Sequence, residues 1–129
     1  MTTYKFKKQL FFLLFMLCFL CACFGNAYQK ITPEAAYQMM QTLNDFVLLD
    51  VRSAAEFQEK HIYGATLIPV NELERRAESE LPDKNRVIFV YCRAGVRSRN
   101  AANILLGKGY TQVFDIGGIM DWPYKTVSN

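Results

Sequence analysis

The sequence predicts an α/β domain with a mostly parallel central sheet of about five short strands and with helices on both faces. Apolar segments of strand length alternate with helix-start signals four or five times after residue 27. One of these segments, residues 46–49, is continuously apolar and too short for a helix, which is typical of a strand buried on both faces of a parallel sheet. The 129 residues allow one domain of ordinary size.

The first strand and helix follow from local signals. Residues 30–31 are predicted as a short strand, and the next residues, Thr32, Pro33 and Glu34, begin a helix that should end near Leu43. The hydroxyl caps the first turn, proline fits its first position, and the acid favours the positive end of the helix dipole. A turn then leads into the strand at residues 46–49.

A second helix and a third strand are predicted in the middle of the chain. Ser53 and Glu56 form a capping-box pattern, which predicts a short helix that ends near Lys60. Residues 65–69 read as a strand ended by proline. The polar residues that follow begin a helix over residues 73–80.

The last third of the chain carries the clearest strand. Residues 86–91 are rich in β-branched and aromatic side chains, and a short loop over residues 92–97 follows. Ser98 is predicted to cap a helix over residues 100–108 that stops at Gly109. Residues 113–115 are predicted as the last strand, which the next two glycines, Gly117 and Gly118, should end.

Residues 1–27 have the layout of a secretory signal. Three lysines precede an apolar run over residues 10–24, and small residues follow it. Such a run rises only about 22 Å as a helix, which is less than the ~30 Å thickness of the hydrocarbon core of a membrane. We therefore expect cleavage after Ala27 and export of a single domain, residues 28–129, to the periplasm.

A second interpretation of the same segment is a lipoprotein signal. Residues 20–23 resemble a lipoprotein box that ends at Cys23, although Cys21 stands where Ser, Thr, Ala or Val is more usual. A lipid on Cys23 would hold the domain at a membrane. A membrane partner is expected only in that case.

The charge balance argues against a polyanionic partner. Residues 1–27 contain three of the 15 Lys and Arg residues and none of the 12 Asp and Glu residues, so the remaining domain has equal numbers of both. The overall positive charge therefore belongs to the leader. Nucleic acid is not expected as a partner.

Cys92 is the only cysteine of residues 28–129, so the domain has no intramolecular disulfide. One interpretation is a small buried apolar residue. Its position favours another, because it follows the strongest strand and precedes a helix, where backbone N–H groups stabilise a thiolate. Gly95 allows a tight turn, and Arg93, Arg97 and Arg99 add positive charge. The sequence therefore predicts a reactive thiolate at Cys92.

The spacing within this loop indicates the size of its ligand. Four residues separate Cys92 from Arg97. Cysteine-dependent phosphatases place one residue more between their Cys and Arg, and the longer loop wraps a tetrahedral phosphate. The smaller ring suits a single sulfur atom better.

The chain resembles the single-domain rhodanese (thiosulfate sulfurtransferase) family from Ile31 to Trp122. Four motifs carry the resemblance, in the order that the family shows: LLDVR with EF at residues 48–52 and 56–57, HI, GA and IP between residues 61 and 69, CRAGVRS at residues 92–98, and GG with WP at residues 117–118 and 122–123. With its export signal, the chain is similar to small periplasmic rhodaneses of the phage-shock type.

The resemblance implies that Cys92 attacks the outer sulfur of thiosulfate and carries that sulfur as a persulfide. The backbone amides of the loop would stabilise the anionic sulfur, and they belong to Arg93, Ala94, Gly95, Val96, Arg97 and Ser98. Arg97, together with Arg93, would attract the dianionic donor. We expect no cofactor and no metal, because the sulfur is carried as a covalent persulfide intermediate on Cys92.

The resemblance also assigns supporting roles and substrates. Asp50 and Arg52 would brace the active loop from the neighbouring strand end. His61, the single histidine, would lie in the turn before the third strand without a catalytic role. From their position after the two glycines, Trp122 and Tyr124 are expected to close the core, with the rim of the pocket as the alternative. The expected partners are a small anionic sulfur donor and a cyanide or thiol acceptor, which can be a thiol protein.

Three other functions use the same loop. The chain could be a persulfide carrier or interaction module that hardly turns over thiosulfate. It could be an arsenate reductase or a phosphatase, against which the loop spacing argues. It could also be a redox sensor whose thiolate reacts with peroxide.

Overall fold

A computed structural model describes residues 27–129. This part of the chain contains seven strands, four α-helices and one 3-10 helix. In chain order they are β1 (Gln29–Lys30), α1 (Pro33–Thr42), β2 (Val47–Asp50), α2 (Ala54–Glu59), β3 (His61–Ile62), β4 (Thr66–Leu67), α3 (Val70–Glu80), β5 (Ile88–Cys92), α4 (Val96–Gly107), β6 (Val113–Gly118), the 3-10 helix Ile119–Asp121 and β7 (Thr126–Val127).

Five strands form one parallel sheet in the order β1-β6-β5-β2-β4. The predicted α/β fold class is confirmed. β5 lies at the centre and pairs with β2, so that Asp50 stands opposite Tyr91. The carboxyl ends of these two strands therefore lie side by side, and Cys92 is the last residue of β5. In open α/β sheets this edge is where ligands bind.

Apolar side chains leave the two faces of the sheet alternately. Leu49 and Val90 belong to a core that includes residues of α3 and α4. Leu48 and Phe89 belong to a second core, which packs against α1 and Trp122. The central strands are therefore buried on both faces, as the apolar run of residues 46–49 predicts for β2.

The predicted helix caps are present. The Thr32 side chain accepts a hydrogen bond from the backbone N–H of Ala35 at 3.1 Å. In α2, Ser53 Oγ accepts the N–H of Glu56 at 3.3 Å, and the Glu56 carboxylate accepts the N–H of Ser53 at 2.9 Å. Both donors would otherwise have no partner within the helix.

The prediction that Ser98 caps a helix is wrong. The helix begins two residues earlier, at Val96, because Gly95 turns the backbone with a positive φ of 103°. Ser98 lies inside the first turn, where its hydroxyl donates to the carbonyl oxygen of Gly95 at 3.1 Å. The loop after Cys92 is therefore only three residues long.

The prediction that Gly117 and Gly118 end the last strand is also wrong. β6 continues through both glycines, and Gly118 pairs with Cys92 after a register shift between β5 and β6. A further strand, β7, then pairs antiparallel with β3. His61 consequently lies in a strand rather than in a turn, because a partner from the far end of the chain extends its backbone.

Two aromatic residues near the carboxyl terminus close one side of the molecule. Trp122 packs against the second core, and Tyr124 stacks on Tyr37 of α1 with ring centroids 3.7 Å apart. Trp122 therefore takes the core-closing position that the sequence favours, and both residues also line a cavity of about 450 Å³.

Within residues 27–129 there is no helix that is long and apolar enough to span a membrane. The predictions for the leader fall almost entirely outside the described residues. They comprise the signal, its cleavage and a lipid on Cys23.

Candidate active site

The loop after β5 surrounds the sulfur atom of Cys92. The backbone N–H of Gly95 donates to Sγ at 3.0 Å. Helix α4 begins immediately afterwards, so its positive end is directed toward the same atom. Cys92 is only 1% exposed, which restricts access to small reactive groups, such as a terminal sulfur atom.

Two opposing effects set the pKa of Cys92. Burial raises the pKa, because it removes water from the thiolate. The N–H and the side chain of Ser98, together with the N–H groups of Gly95 and Ala94, lower it. The hydrogen bonds outweigh burial, so the pKa of Cys92 lies below its ordinary value. This favours the thiolate without a neighbouring base.

The end of β6 packs against the loop that follows Cys92. The alpha carbon of Gly118 lies so close to the loop that an added Cβ would overlap the carbonyl oxygen of Arg93. Two residues further on, the N–H of Met120 donates to the same oxygen at 3.3 Å. The backbone of Arg93 is therefore fixed, while its side chain is exposed.

A buried polar network lies at the ends of β2 and β5. The carboxylate of Asp50 accepts hydrogen bonds from Nε and Nη2 of Arg52 and from the hydroxyl of Tyr91. Arg52 Nη2 also donates to the carbonyl oxygen of Lys60 at 2.7 Å, and the Tyr91 hydroxyl accepts the N–H of Ile62 at 3.1 Å. Burial and the adjacent Asp50 raise the pKa of Tyr91, so its hydroxyl remains protonated.

This network acts on the loop indirectly. The sequence predicts that Asp50 and Arg52 brace the loop, but their hydrogen bonds reach Tyr91 rather than residues 93–98. Since Tyr91 precedes Cys92, the network fixes the strand that carries the sulfur. Tyr91 itself is absent from the sequence prediction, because its role depends on a pairing across strands 41 residues apart.

Arg97 forms a bidentate ion pair with Glu56. Its Nη1 and Nη2 atoms each donate to one carboxylate oxygen of Glu56, both at 2.8 Å. The hydrogen bonds from Arg97 hold the pKa of Glu56 far below its usual range. The sequence predicts Arg97 as an anion-binding residue and assigns Glu56 only to the capping box and the family motif, so their pairing is new.

A cavity of about 290 Å³ opens beside the loop. It is lined by three basic, two acidic and two apolar residues: Arg52, Lys60, Arg93, Glu56, Glu59, Ile119 and Met120. Val96 and Met120 are large apolar residues that remain 75% and 68% exposed. The rim therefore combines charge with apolar surface.

His61 has a structural environment. Its ring stacks on Phe57 with centroids 3.7 Å apart, and Nδ1 contacts the carbonyl oxygen of Phe57 at 2.8 Å. Among residues 27–129, no group of three or more His, Cys, Asp and Glu side chains is arranged to hold a metal ion.

Comparisons with known proteins give a consistent family. A sequence model of the protein family described as rhodanese-like domain matches residues 32–124. Thiosulfate sulfurtransferase PspE of Escherichia coli is 42% identical over 73 residues, which is 57% of this chain and 70% of that protein. The putative sulfur carrier protein YrkF of Bacillus subtilis is 36% identical over 103 residues, which is 79% of this chain and 55% of that protein.

A solved structure shows the same fold. A rhodanese with anions from Escherichia coli superposes with a TM-score of 0.61 at 38% identity, and covers 64% of this chain and 98% of its own. The chain therefore has the fold, the cysteine loop and the sequence relatives of one family. It belongs to the rhodanese family.

Proposed function

We propose that this protein is an exported sulfurtransferase, which moves sulfane sulfur from thiosulfate or another sulfane donor to a thiophilic acceptor. The observation that carries the proposal is the position of Cys92 Sγ at the carboxyl edge of the sheet, where the Gly95 N–H donates to it at 3.0 Å at the start of α4. The neighbouring donors lower the pKa of Cys92 and so favour a thiolate. The names of relatives such as PspE support the same activity.

The first half-reaction loads the sulfur. The Cys92 thiolate attacks the outer sulfur of thiosulfate, and a new S–S bond forms. The S–S bond of the donor breaks, and sulfite leaves with its electron pair. The products are an anionic persulfide on Cys92 and sulfite, so no proton has to be transferred.

The second half-reaction returns the enzyme to its starting state. Cyanide or a thiolate attacks the terminal sulfur of the persulfide. The bond to Cys92 breaks, and the Cys92 thiolate is restored. With cyanide the product is thiocyanate, and with a thiol it is a new persulfide. The sulfur thus moves in a ping-pong sequence that needs no cofactor.

The loop supplies the stabilisation that both steps need. The N–H groups of Ala94, Gly95 and Ser98 that lower the pKa of Cys92 also face the negative charge of a persulfide. The Arg93 side chain, exposed on the cavity wall, attracts the anionic donor. The physiological acceptor in the periplasm would be a thiol, including a thiol on a protein.

Intact mass spectrometry tests this proposal. Incubation with thiosulfate should add about 32 Da, one sulfur atom, to the wild-type protein, and cyanide or a thiol should remove it. The Cys92→Ala variant is the control and should not gain this mass. A folded wild-type protein with a free thiol that gains no sulfur would contradict the use of thiosulfate.

A second candidate is a sulfur carrier loaded by a protein donor. The relative YrkF carries the name putative sulfur carrier protein. The pairing of Arg97 with Glu56 agrees with this function, because it withdraws one cation from a small dianionic donor. A carrier would take up persulfide from a loaded partner protein but gain no sulfur from thiosulfate.

The loop length bears on the remaining alternatives. Because the ring is one residue shorter than in cysteine-dependent phosphatases, we expect no turnover of phosphate esters and none of arsenate. A redox sensor would instead react with peroxide, and Cys92 would then gain oxygen rather than sulfur.

A further inference from the structure

The charges around the loop are largely paired with one another. Arg52 is paired with Asp50, and Arg97 is paired with Glu56. Of the charged residues that line the cavity, this leaves Arg93, Lys60 and Glu59 without an ion pair among the described residues. Apart from the Cys92 thiolate, these side chains therefore carry one net positive charge, although four of them are basic.

Glu56 is the residue that makes this difference. It lines the cavity and binds Arg97 through both oxygens, each at 2.8 Å. Arg97 in turn lies close enough to Cys92 for their charges to interact. A donor that approaches Sγ consequently meets Arg97 together with the Glu56 carboxylate, rather than an unpaired Arg97 guanidinium.

The position of Glu56 does not depend on Arg97 alone. Its Oε2 also accepts the N–H of Ser53 at 2.9 Å and the Ser53 hydroxyl at 2.9 Å. The capping box therefore holds the carboxylate at the start of α2. This fixed negative charge remains in place when a donor binds.

We propose that Glu56 determines the charge preference of the donor site, and that it favours singly charged sulfane donors, such as thiosulfonates and hydropersulfides, over doubly charged ones. The inference rests on the proposed sulfurtransferase function. A dianion gains more than a monoanion from each added positive charge and loses more to each negative charge. Removal of the Glu56 charge should therefore help thiosulfate more than a singly charged donor of equal size.

Thiosulfate and methanethiosulfonate form a matched pair of probes. A methyl group replaces one sulfonate oxygen, so the second donor has similar size and one negative charge less. Both load Cys92 by the same displacement, with sulfite or methanesulfinate as the leaving group. Thiocyanate formation with cyanide measures both, and the Cys92→Ala variant gives the background.

The test compares kcat/KM for the two donors in the full-length protein. In Glu56→Gln, the ratio of thiosulfate to methanethiosulfonate should rise about threefold to tenfold, mainly through a lower KM for thiosulfate. The amide oxygen of Gln can still accept the N–H of Ser53, so the cap is kept. The rise should shrink in about 0.5 M salt, because the pair is partly exposed.

A second variant guards against damage to the fold. Arg97→Gln leaves the Glu56 charge unpaired, so the same ratio should fall at least about threefold. General damage to the fold would reduce kcat/KM alike for both donors. It could not raise the ratio in one variant and lower it in the other. Glu80→Gln is the control, since it breaks a comparable pair with Arg76 on α3 and alters the net charge equally. It should leave the ratio unchanged.

The outcomes separate this inference from the proposed function. If the wild type turns over both donors and the ratio is the same in Glu56→Gln and Arg97→Gln, the inference is wrong while the sulfurtransferase function stands. If Glu56→Gln does not fold, an unchanged ratio in Arg97→Gln overturns the inference by itself. If the wild type turns over neither donor, the proposed function fails first.

Discussion

Ser98 connects the chemistry of Cys92 to the start of α4. Its hydroxyl donates to the carbonyl oxygen of Gly95 at 3.1 Å, and its N–H and side chain both lower the pKa of Cys92. The residue is fully buried, so no water replaces these contacts. A thiolate beneath a protein surface needs such donors, because burial alone would keep the sulfur protonated.

We predict that Ser98→Ala raises the pKa of Cys92. A lowered pKa means that the thiolate persists as the pH falls, until the pH passes below that pKa. The variant should therefore lose thiolate at higher pH than the wild type, and its alkylation by iodoacetamide at pH 7 should slow about threefold to tenfold. The measurement is the alkylation rate of Cys92 as a function of pH.

Ser79→Ala is a matched control for this experiment. The Ser79 hydroxyl donates to the carbonyl oxygen of Arg76, also three residues earlier in a helix, but on the exposed side of α3. It should leave the alkylation profile unchanged. Superimposable profiles for Ser98→Ala and the wild type would show that the hydroxyl plays no part in ionising Cys92.

The loop that holds Cys92 is largely predictable from single residues, whereas its ion pair is not. Cys92 and Gly95 stand out locally, because a cysteine after a strong strand and a glycine before a helix have meaning within a few residues. Glu56 and Arg97 are 41 residues apart. Nothing in the local sequence links them, since their contact depends on how β2 and β5 pair.

The same distinction holds for helices and strands. The starts of α1 and α2 are predictable, because Thr32 and Ser53 cap them through neighbours three residues away. The path of β6 is not, because two adjacent glycines normally end a strand. Here Gly118 has a different purpose, which only its contact with the Arg93 carbonyl reveals.

We predict that Gly118→Ala displaces the active loop. The new methyl group would overlap the carbonyl oxygen of Arg93. The nearest atoms all belong to the backbone of Arg93 and Ala94, so no flexible side chain can move away. We expect the free energy of unfolding to fall by about 1–3 kcal/mol. The rate of persulfide formation should fall about tenfold or more, because the nucleophile is misplaced. Urea unfolding and intact mass after thiosulfate measure the two effects.

Gly107→Ala provides the comparison. Gly107 ends α4, and an added Cβ there would meet no atom within 4 Å. This variant should be as stable as the wild type or more stable by about 0.5–1 kcal/mol, because alanine favours the helix. Normal persulfide formation in Gly118→Ala would mean that the loop tolerates a shift of β6.

At the scale of the whole molecule, the parallel sheet brings the functional residues together. Asp50 ends β2, Cys92 ends β5 and Gly118 ends β6, so three segments far apart in sequence meet at one edge. The alternation of strands and helices predicts such an edge. It does not predict the strand order, and so the neighbours of Cys92 could not be derived from it.

The first elements of the described fold lie directly after the predicted cleavage site. Tyr28 packs against the first core, and β1 begins at Gln29 as the strand next to β6. Cleavage after Ala27 would therefore remove the signal and leave every described element in place. A lipid on Cys23 would leave only four residues before Tyr28, a reach of about 14 Å at full extension, and would hold the fold against the membrane.

We predict that the chain is cleaved after Ala27 and released. The apolar run of residues 10–24 is shorter than the roughly 20 residues that a membrane-spanning helix normally needs, and the small residues before Tyr28 suit a signal peptidase. After expression of the full chain in a Gram-negative bacterium, mass spectrometry of the periplasmic fraction should find a protein that begins at Tyr28. A membrane-bound protein that begins at a diacylated Cys23, and that Cys23→Ala converts to another form, would contradict release. In that case the sulfur donor and acceptor would have to reach Cys92 at the membrane surface.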